Sequence, residues 1–191
     1  MRRKVILDCD PGHDDAIAIL LAARSPALDV RAITVVAGNQ TLEKTLHNAL
    51  RVCSFAGIRD IPIAAGMSQP LVRDQIVAGD IHGASGLDGP ALGEPTIAPV
   101  PTHAVDLIVE EVLAAPGEIT LVPTGPLTNI AAALRREPKI AGKLQGIVLH
   151  YLCTSGEIRR LTAHRAGEEA SRLGIAAAPA DQMIPMHPLH L

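Results

Sequence analysis

Four carboxylates, Asp8, Asp10, Asp14 and Asp15, fall within the eight residues Asp8-Cys9-Asp10-Pro11-Gly12-His13-Asp14-Asp15. Acids this close repel one another unless positive charge sits among them. Two kinds of chemistry answer to such a pattern. A divalent cation with oxygen ligands would neutralise the cluster, or a pair of carboxylates would divide acid and base duties. The competing account is an acidic turn in which Asp14 and Asp15 simply favour the positive end of a helix. Gly12 permits backbone shapes that other residues resist, and Pro11 stiffens the approach.

Those acids need a frame. Val5 to Leu7 is a short apolar run of the kind found in a strand covered on both faces. Asp14 to Arg24 follows as a helix that ends before Pro26. Leu28 to Val36 predicts a second strand, closing at Ala37-Gly38-Asn39. Thr41 caps the next helix, with Leu42, Leu46, Ala49, Leu50 and Cys53 on one face and Gly57 past its end. Ile61 to Ala65 predicts a third strand. Residues 66–101 are rich in Gly and Pro and lack a period, which marks a functional or disordered loop, with Ile81-His82-Gly83 near its centre.

Thr102 then caps a helix carrying Val105, Ile108, Val112 and Leu113. Glu118 to Val122 predicts a strand ending in Pro123-Thr124-Gly125-Pro126, with Pro126 as first residue of a helix that runs to about Arg136. Gly146 to Leu149 begins another strand. The alternation predicts an α/β fold, an open, mainly parallel Rossmann-like sheet with helices on both faces. The turns after parallel strands share one edge, where ligands bind, so Asp10, Asp14, Asp15, Asn39 and Thr124 are expected to converge.

Composition narrows the function. A net charge of −3 argues against a general nucleic-acid binder, and one Phe, one Tyr and no Trp leave no platform for stacking bases. Three cysteines without a CxxC pair point to a reducing compartment rather than a disulfide framework or a zinc site. The apolar run after Arg2-Arg3-Lys4 is too short for a signal peptide, and Ala16 to Ala23 is too short to span a bilayer. A cytoplasmic protein with no membrane partner is the expectation.

Taken together, Asp8-Cys9-Asp10-Pro11-Gly12-His13-Asp14-Asp15, Val36-Ala37-Gly38-Asn39-Gln40, Ile81-His82-Gly83 and Leu121-Val122-Pro123-Thr124-Gly125-Pro126-Leu127-Thr128-Asn129 resemble, in order and spacing, the calcium-dependent nucleoside hydrolases. The match runs from Lys4 to about Leu149 and is nearest the inosine–uridine-preferring and pyrimidine-specific ribonucleoside hydrolases. The resemblance implies hydrolysis of the N-glycosidic bond of a ribonucleoside to ribose and free base. It implies a Ca²⁺ ion held by Asp10, Asp15 and the Thr124 carbonyl, and a water on that ion deprotonated by Asp10. It further implies Asp14 and Asn39 on ribose hydroxyls, His82 near the nucleobase, Asp8 supporting the acids from behind, and a homo-oligomer of two or four chains. Asn129 is assigned to the turn at a helix start, and His13 receives no role.

After Leu149 the sequence leaves that pattern. His150-Tyr151-Leu152-Cys153 stands where the family has a Met-Gly-Gly turn, and neither its Glu-Phe-Asn segment nor its later His-Asp pair follows. Family chains are longer, about 300 residues or two ordinary domain lengths. The reading is therefore residues 1–149 as the N-terminal part of a hydrolase domain and 150–191 as a divergent tail, whose Met183, Met186, His187 and His190 are taken as a loosely packed end rather than a soft-metal site. The alternative function is an impaired or inactive fragment that keeps partial ribose and metal binding. A phosphatase DxD reading of Asp8-Cys9-Asp10 conflicts with the Pro11-Gly12 that follows.

Overall fold

The computed structural model describes residues 1–72 and 74–149; the expected divergent tail lies outside the described residues. Five strands form one sheet in the order β3-β2-β1-β4-β5, with every adjacent pair parallel. They are β1 (Arg3–Cys9), β2 (Leu28–Val35), β3 (Ile63–Ala65), β4 (Ile119–Pro123) and β5 (Gly146–Ile147). The helices between them are α1 (His13–Arg24), α2 (Leu42–Phe55), α3 (Gly79–His82), α4 (Ala104–Ala114) and α5 (Thr128–Arg136), and a 3-10 turn covers Pro138–Lys143. The expected parallel α/β sheet is therefore present.

The period of two in β1 sends alternate side chains to two separate cores. Ile6 joins Ala32, Ala64, Ile119 and Leu121 beneath α4 and α5. Leu7 and Cys9 join Ile33, Val35 and Ile63 beneath α1 and α2. Both cores are aliphatic, as the scarcity of aromatics requires. Full burial of a side chain such as Ile6 or Ile33 is worth about 1.5–3 kcal/mol.

Several boundaries differ from expectation. His103, not Thr102, caps α4, because its ring nitrogen can accept from the Val105 N–H at 3.3 Å. Pro126 lies ahead of α5 rather than inside it, since Leu127 occupies the cap position and Thr128 begins the helix. β5 stops at Ile147 instead of reaching Leu149. The long segment after β3 is not structureless. It contains α3, and its far end returns along β3, where Val100 bridges Ala64 and donates its N–H to Ile63 at 2.8 Å. Among the described residues, no helix is long and apolar enough to cross a membrane.

Candidate active site

The chain runs from β1 to β2 and β3 on one side, then returns to place β4 on the other side of β1. That reversal opens a crevice at the carboxyl ends of β1 and β4, the usual ligand position in such sheets. β1 ends in the acidic stretch and β4 ends in Pro123-Thr124. The two turns are stitched together by the Asp8 carbonyl, which accepts from the N–H of Thr124 at 2.8 Å and of Gly125 at 3.3 Å.

Asp8 shares the face of Ile6, so its side chain enters the core under α5 and is wholly buried. Its Oδ1 accepts from the Thr34 hydroxyl at 2.6 Å and from the Asn129 side-chain amide at 2.8 Å. Its Oδ2 has no hydrogen-bond partner. Burial raises this carboxyl from 3.8 to about 7, against the two hydrogen bonds that favour its charged form.

Asp10 and Asp15 form the centre. The Asp10 N–H donates to Asp15 Oδ2 at 2.8 Å. Asp10 Oδ2 accepts from the Asn39 N–H at 2.6 Å, and the Asn39 side chain reaches back to the Asp10 carbonyl at 3.0 Å. Burial raises both carboxyls, Asp10 to about 8. The Asp15 charge lifts Asp10 further, while the Asn39 N–H opposes it. Thr124 has one hydroxyl proton and two acceptors in reach, the Asp15 carboxylate and the Asp8 carbonyl at 3.4 Å. The carboxylate is the stronger acceptor.

Two glycines shape the walls. A Cβ at Gly38 would collide with the Asp10 carboxylate and Pro126, and one at Gly125 would lie 2.5 Å from Asp10 Oδ1. Backbone from the β2 and β4 turns thus closes on the same carboxylate. A side chain at either position would force that carboxylate or its turn to shift.

A hard cation fits this donor set. The available groups are oxygens, and Asp10 and Asp15 are buried while Asp14 is exposed; the unpartnered buried carboxylate oxygen belongs to Asp8, behind them in the core. Among the described residues no salt bridge reaches Asp8, Asp10, Asp14 or Asp15. No group of three His, Cys, Asp or Glu converges as a metal-holding cluster among those residues.

Asp14 sits exposed in the first turn of α1, near enough for its charge to raise both Asp10 and Asp15. His82, at the end of α3, lies half-buried against Gly12 and His13. A groove of about 590 Å³ lies on the α1 side of β1 and β4, lined mainly by Leu7, Ala18, Leu21, Ala22 and Val122 and reaching Thr124 at one end. It contains none of the acids and shares only Thr124 with them.

Three residues make contacts that the sequence reading did not assign to them. Asn129 is fully buried and joins three segments: it donates to Asp8 and to the Val35 carbonyl at 3.2 Å, and accepts from the Met67 N–H at 2.8 Å. Asn48 donates to the Pro11 carbonyl at 3.2 Å and the Ser85 carbonyl at 3.0 Å, tying the acidic turn to the loop after α3. His13 contacts His82 and Asp88. A usable signal existed for Asn48: with Thr45 and Val52 it lies on one stripe of α2, and all three are buried.

The family described as inosine-uridine preferring nucleoside hydrolase matches residues 5–150. The pyrimidine-specific ribonucleoside hydrolase RihB of Escherichia coli O17:K52:H18 is 57% identical over 148 residues, covering 78% of this chain and 47% of that protein. RihA of Photobacterium profundum, also named pyrimidine-specific, is 54% identical over 149 residues, covering 78% of this chain and 48% of its own length. The structure of a plant nucleoside hydrolase, PpNRh1, superposes with a TM-score of 0.74 at 41% identity, over 78% of this chain and 48% of that one. The chain spans about half the length of the curated relatives it matches. With four motifs in order and the parallel sheet that joins them, this chain belongs to the inosine-uridine preferring nucleoside hydrolase family.

Proposed function

We propose that this chain carries the ribose- and metal-binding half of a ribonucleoside hydrolase, with residues 1–149 as the hydrolase part and 150–191 as a divergent tail. The observation that carries the reading is the buried Asp10–Asp15 pair, joined at 2.8 Å and enclosed by Asn39 and Gly125. Asp10, Asp15 and the Thr124 carbonyl would hold Ca²⁺. When bound, the ion supplies charge that neutralises the acids and makes a water easier to deprotonate.

The chain's own groups do the rest. Asp10 takes the proton of the attacking water, its carboxylate held in place by the Asn39 N–H at 2.6 Å. Asp14, exposed at the crevice, and the Asn39 side chain orient ribose hydroxyls. Negative charge beneath the sugar stabilises the cationic character that develops as the glycosidic bond breaks. His82 lies on the base side. The relatives' names make uridine and cytidine the first substrates to test, with inosine for comparison.

One observation favours a second reading. The chain covers 47–48% of those relatives, and its described residues would offer two carboxylates to an ion that takes six to eight oxygens. An inactive fragment that still binds ribose and calcium weakly answers to that shortage. Release of reducing sugar from uridine with calcium, abolished by chelator and by Asp10→Asn, supports the hydrolase. Calcium and ribose binding without turnover at high protein concentration selects the fragment.

A further inference from the structure

We propose that His13 is a positioning residue for His82, selecting the tautomer in which His82 carries its proton on Nδ1 and presents a bare Nε2. His13 opens α1 and His82 closes α3. Their ring centroids are 5.4 Å apart with planes 27° apart, so the rings meet edge to edge. The two Nδ1 atoms are 3.1 Å apart. Two bare lone pairs do not meet at that distance, so one proton lies between them.

The far end of His13 decides whose proton it is. His13 Nε2 lies 2.8 Å from the Asp88 carbonyl oxygen, which only accepts, so Nε2 carries a hydrogen. A neutral His13 then has a bare Nδ1, and the shared proton belongs to His82. The His13 main-chain N–H also points at His82 Nδ1, at 3.4 Å. That contact asks for the opposite tautomer, but it stands at the far limit of hydrogen-bond length and yields to the 3.1 Å contact. The approach depends on Gly12, where a Cβ would lie 2.6 Å from His82 Nδ1. Asp88 is held in turn: its carboxylate accepts from the N–H groups of Ala84 at 2.9 Å and Ser85 at 3.1 Å.

Histidine free in water prefers its proton on Nε2. Held in the other form, His82 offers Nε2 as an acceptor, suited to a ligand N–H or hydroxyl and unsuited to giving up a proton. Only the next step rests on the ribonucleoside reading: His82 would accept from a ring N–H or exocyclic amine of the base, which makes it a specificity group rather than the acid that protonates the leaving base.

The test is a long-range ¹H–¹⁵N correlation of the ring nitrogens in the labelled, ligand-free chain. It is run at about pH 8.5, roughly two units above the ordinary imidazole pKa. The Nδ1–H pattern is expected for His82 in the parent protein. His13→Ala and His13→Gln should revert it to Nε2–H, because neither puts an acceptor where Nδ1 was. His13→Asn, whose side-chain oxygen occupies that place, should retain it. An Nε2–H pattern in the parent, or Ala and Asn variants that behave alike, overturns the proposal. Turnover plays no part in this readout, so an absence of nucleoside hydrolysis would sink the hydrolase reading and leave this one standing.

Discussion

Asn129 donates its side-chain amide to Asp8 at 2.8 Å, across 121 residues of sequence, and both side chains are fully buried. A carboxylate and its hydrogen-bond donor have been placed inside an aliphatic core from opposite ends of the described chain. Everything at the crevice depends on β1 and β4 staying in register, and this contact ties α5, which follows β4, to β1.

Replacing Asn129 by Leu should therefore destabilise strongly. It leaves Asp8 with only the Thr34 hydroxyl, strips the Met67 N–H of its Asn129 acceptor and removes a donor from the Val35 carbonyl. A loss of about 3–5 kcal/mol is expected, because buried polar groups without partners cost about 1–3 kcal/mol each. Urea unfolding of the ligand-free protein checks it; a loss below about 1 kcal/mol contradicts the role.

The buried acids set the pH dependence of stability. Asp8 titrates near 3.8 when unfolded and about 7 when folded, so between those values the folded state binds the extra proton. Stability of the ligand-free protein must then fall as pH rises through that window. Asp10 and Asp15, both raised, act in the same direction. The expected result is a lower melting temperature at pH 8 than at pH 5.5 in chelator. Calcium should raise it more at pH 8, where the carboxylates are charged. Equal calcium effects at the two pH values would count against carboxylate ligation.

Asp10→Asn separates stability from activity. The amide keeps the shape of the carboxyl and removes one buried charge beside Asp15, so the ligand-free variant should melt higher than the parent at pH 8. Hydrolysis should fall by about 10²–10⁴, the span general-base catalysis supplies. Calorimetry and a reducing-sugar assay measure the two effects. A variant that is less stable and fully active removes Asp10 from the proposed role.

Gly125→Ala tests the wall behind that carboxylate. The new methyl would lie 2.5 Å from Asp10 Oδ1, too close unless the side chain or turn moves. The cost should be about 1–3 kcal/mol in stability, with activity down about 10²-fold from misplacement of the base. Gly57→Ala is the control for inserting a methyl: a Cβ there meets nothing within 4 Å, although its φ of +67° adds backbone strain of its own. Comparable activity in the two variants would show that close approach to Asp10 does not matter.

By itself the sequence determined the strands and helices that alternate, the parallel sheet, the edge where the acids gather, and the family. These are legible because they rest on local information: apolar runs in Val5–Leu7 and Leu28–Val36, and turn residues such as Gly38 and Gly125. Asp10, Asn39 and Thr124 were each visible as polar residues just past a strand, and Asp15 as an acid in the first turn of the helix that follows. The tertiary structure decided what they and their neighbours touch. The sheet's face parity buries Asp8 under α5, and only that burial turns Asn129 from a turn residue into its partner. The short α3 folds back to bring the His82 ring edge against a histidine that the spacing of the motif left without a role. Cap positions moved by one or two residues because hydrogen bonds at a helix end are settled by geometry that neighbouring residue types satisfy equally well. Periodicity reports which face a side chain takes. Which groups meet on that face depends on contacts between residues far apart in the chain, and those exist only once the sheet is assembled.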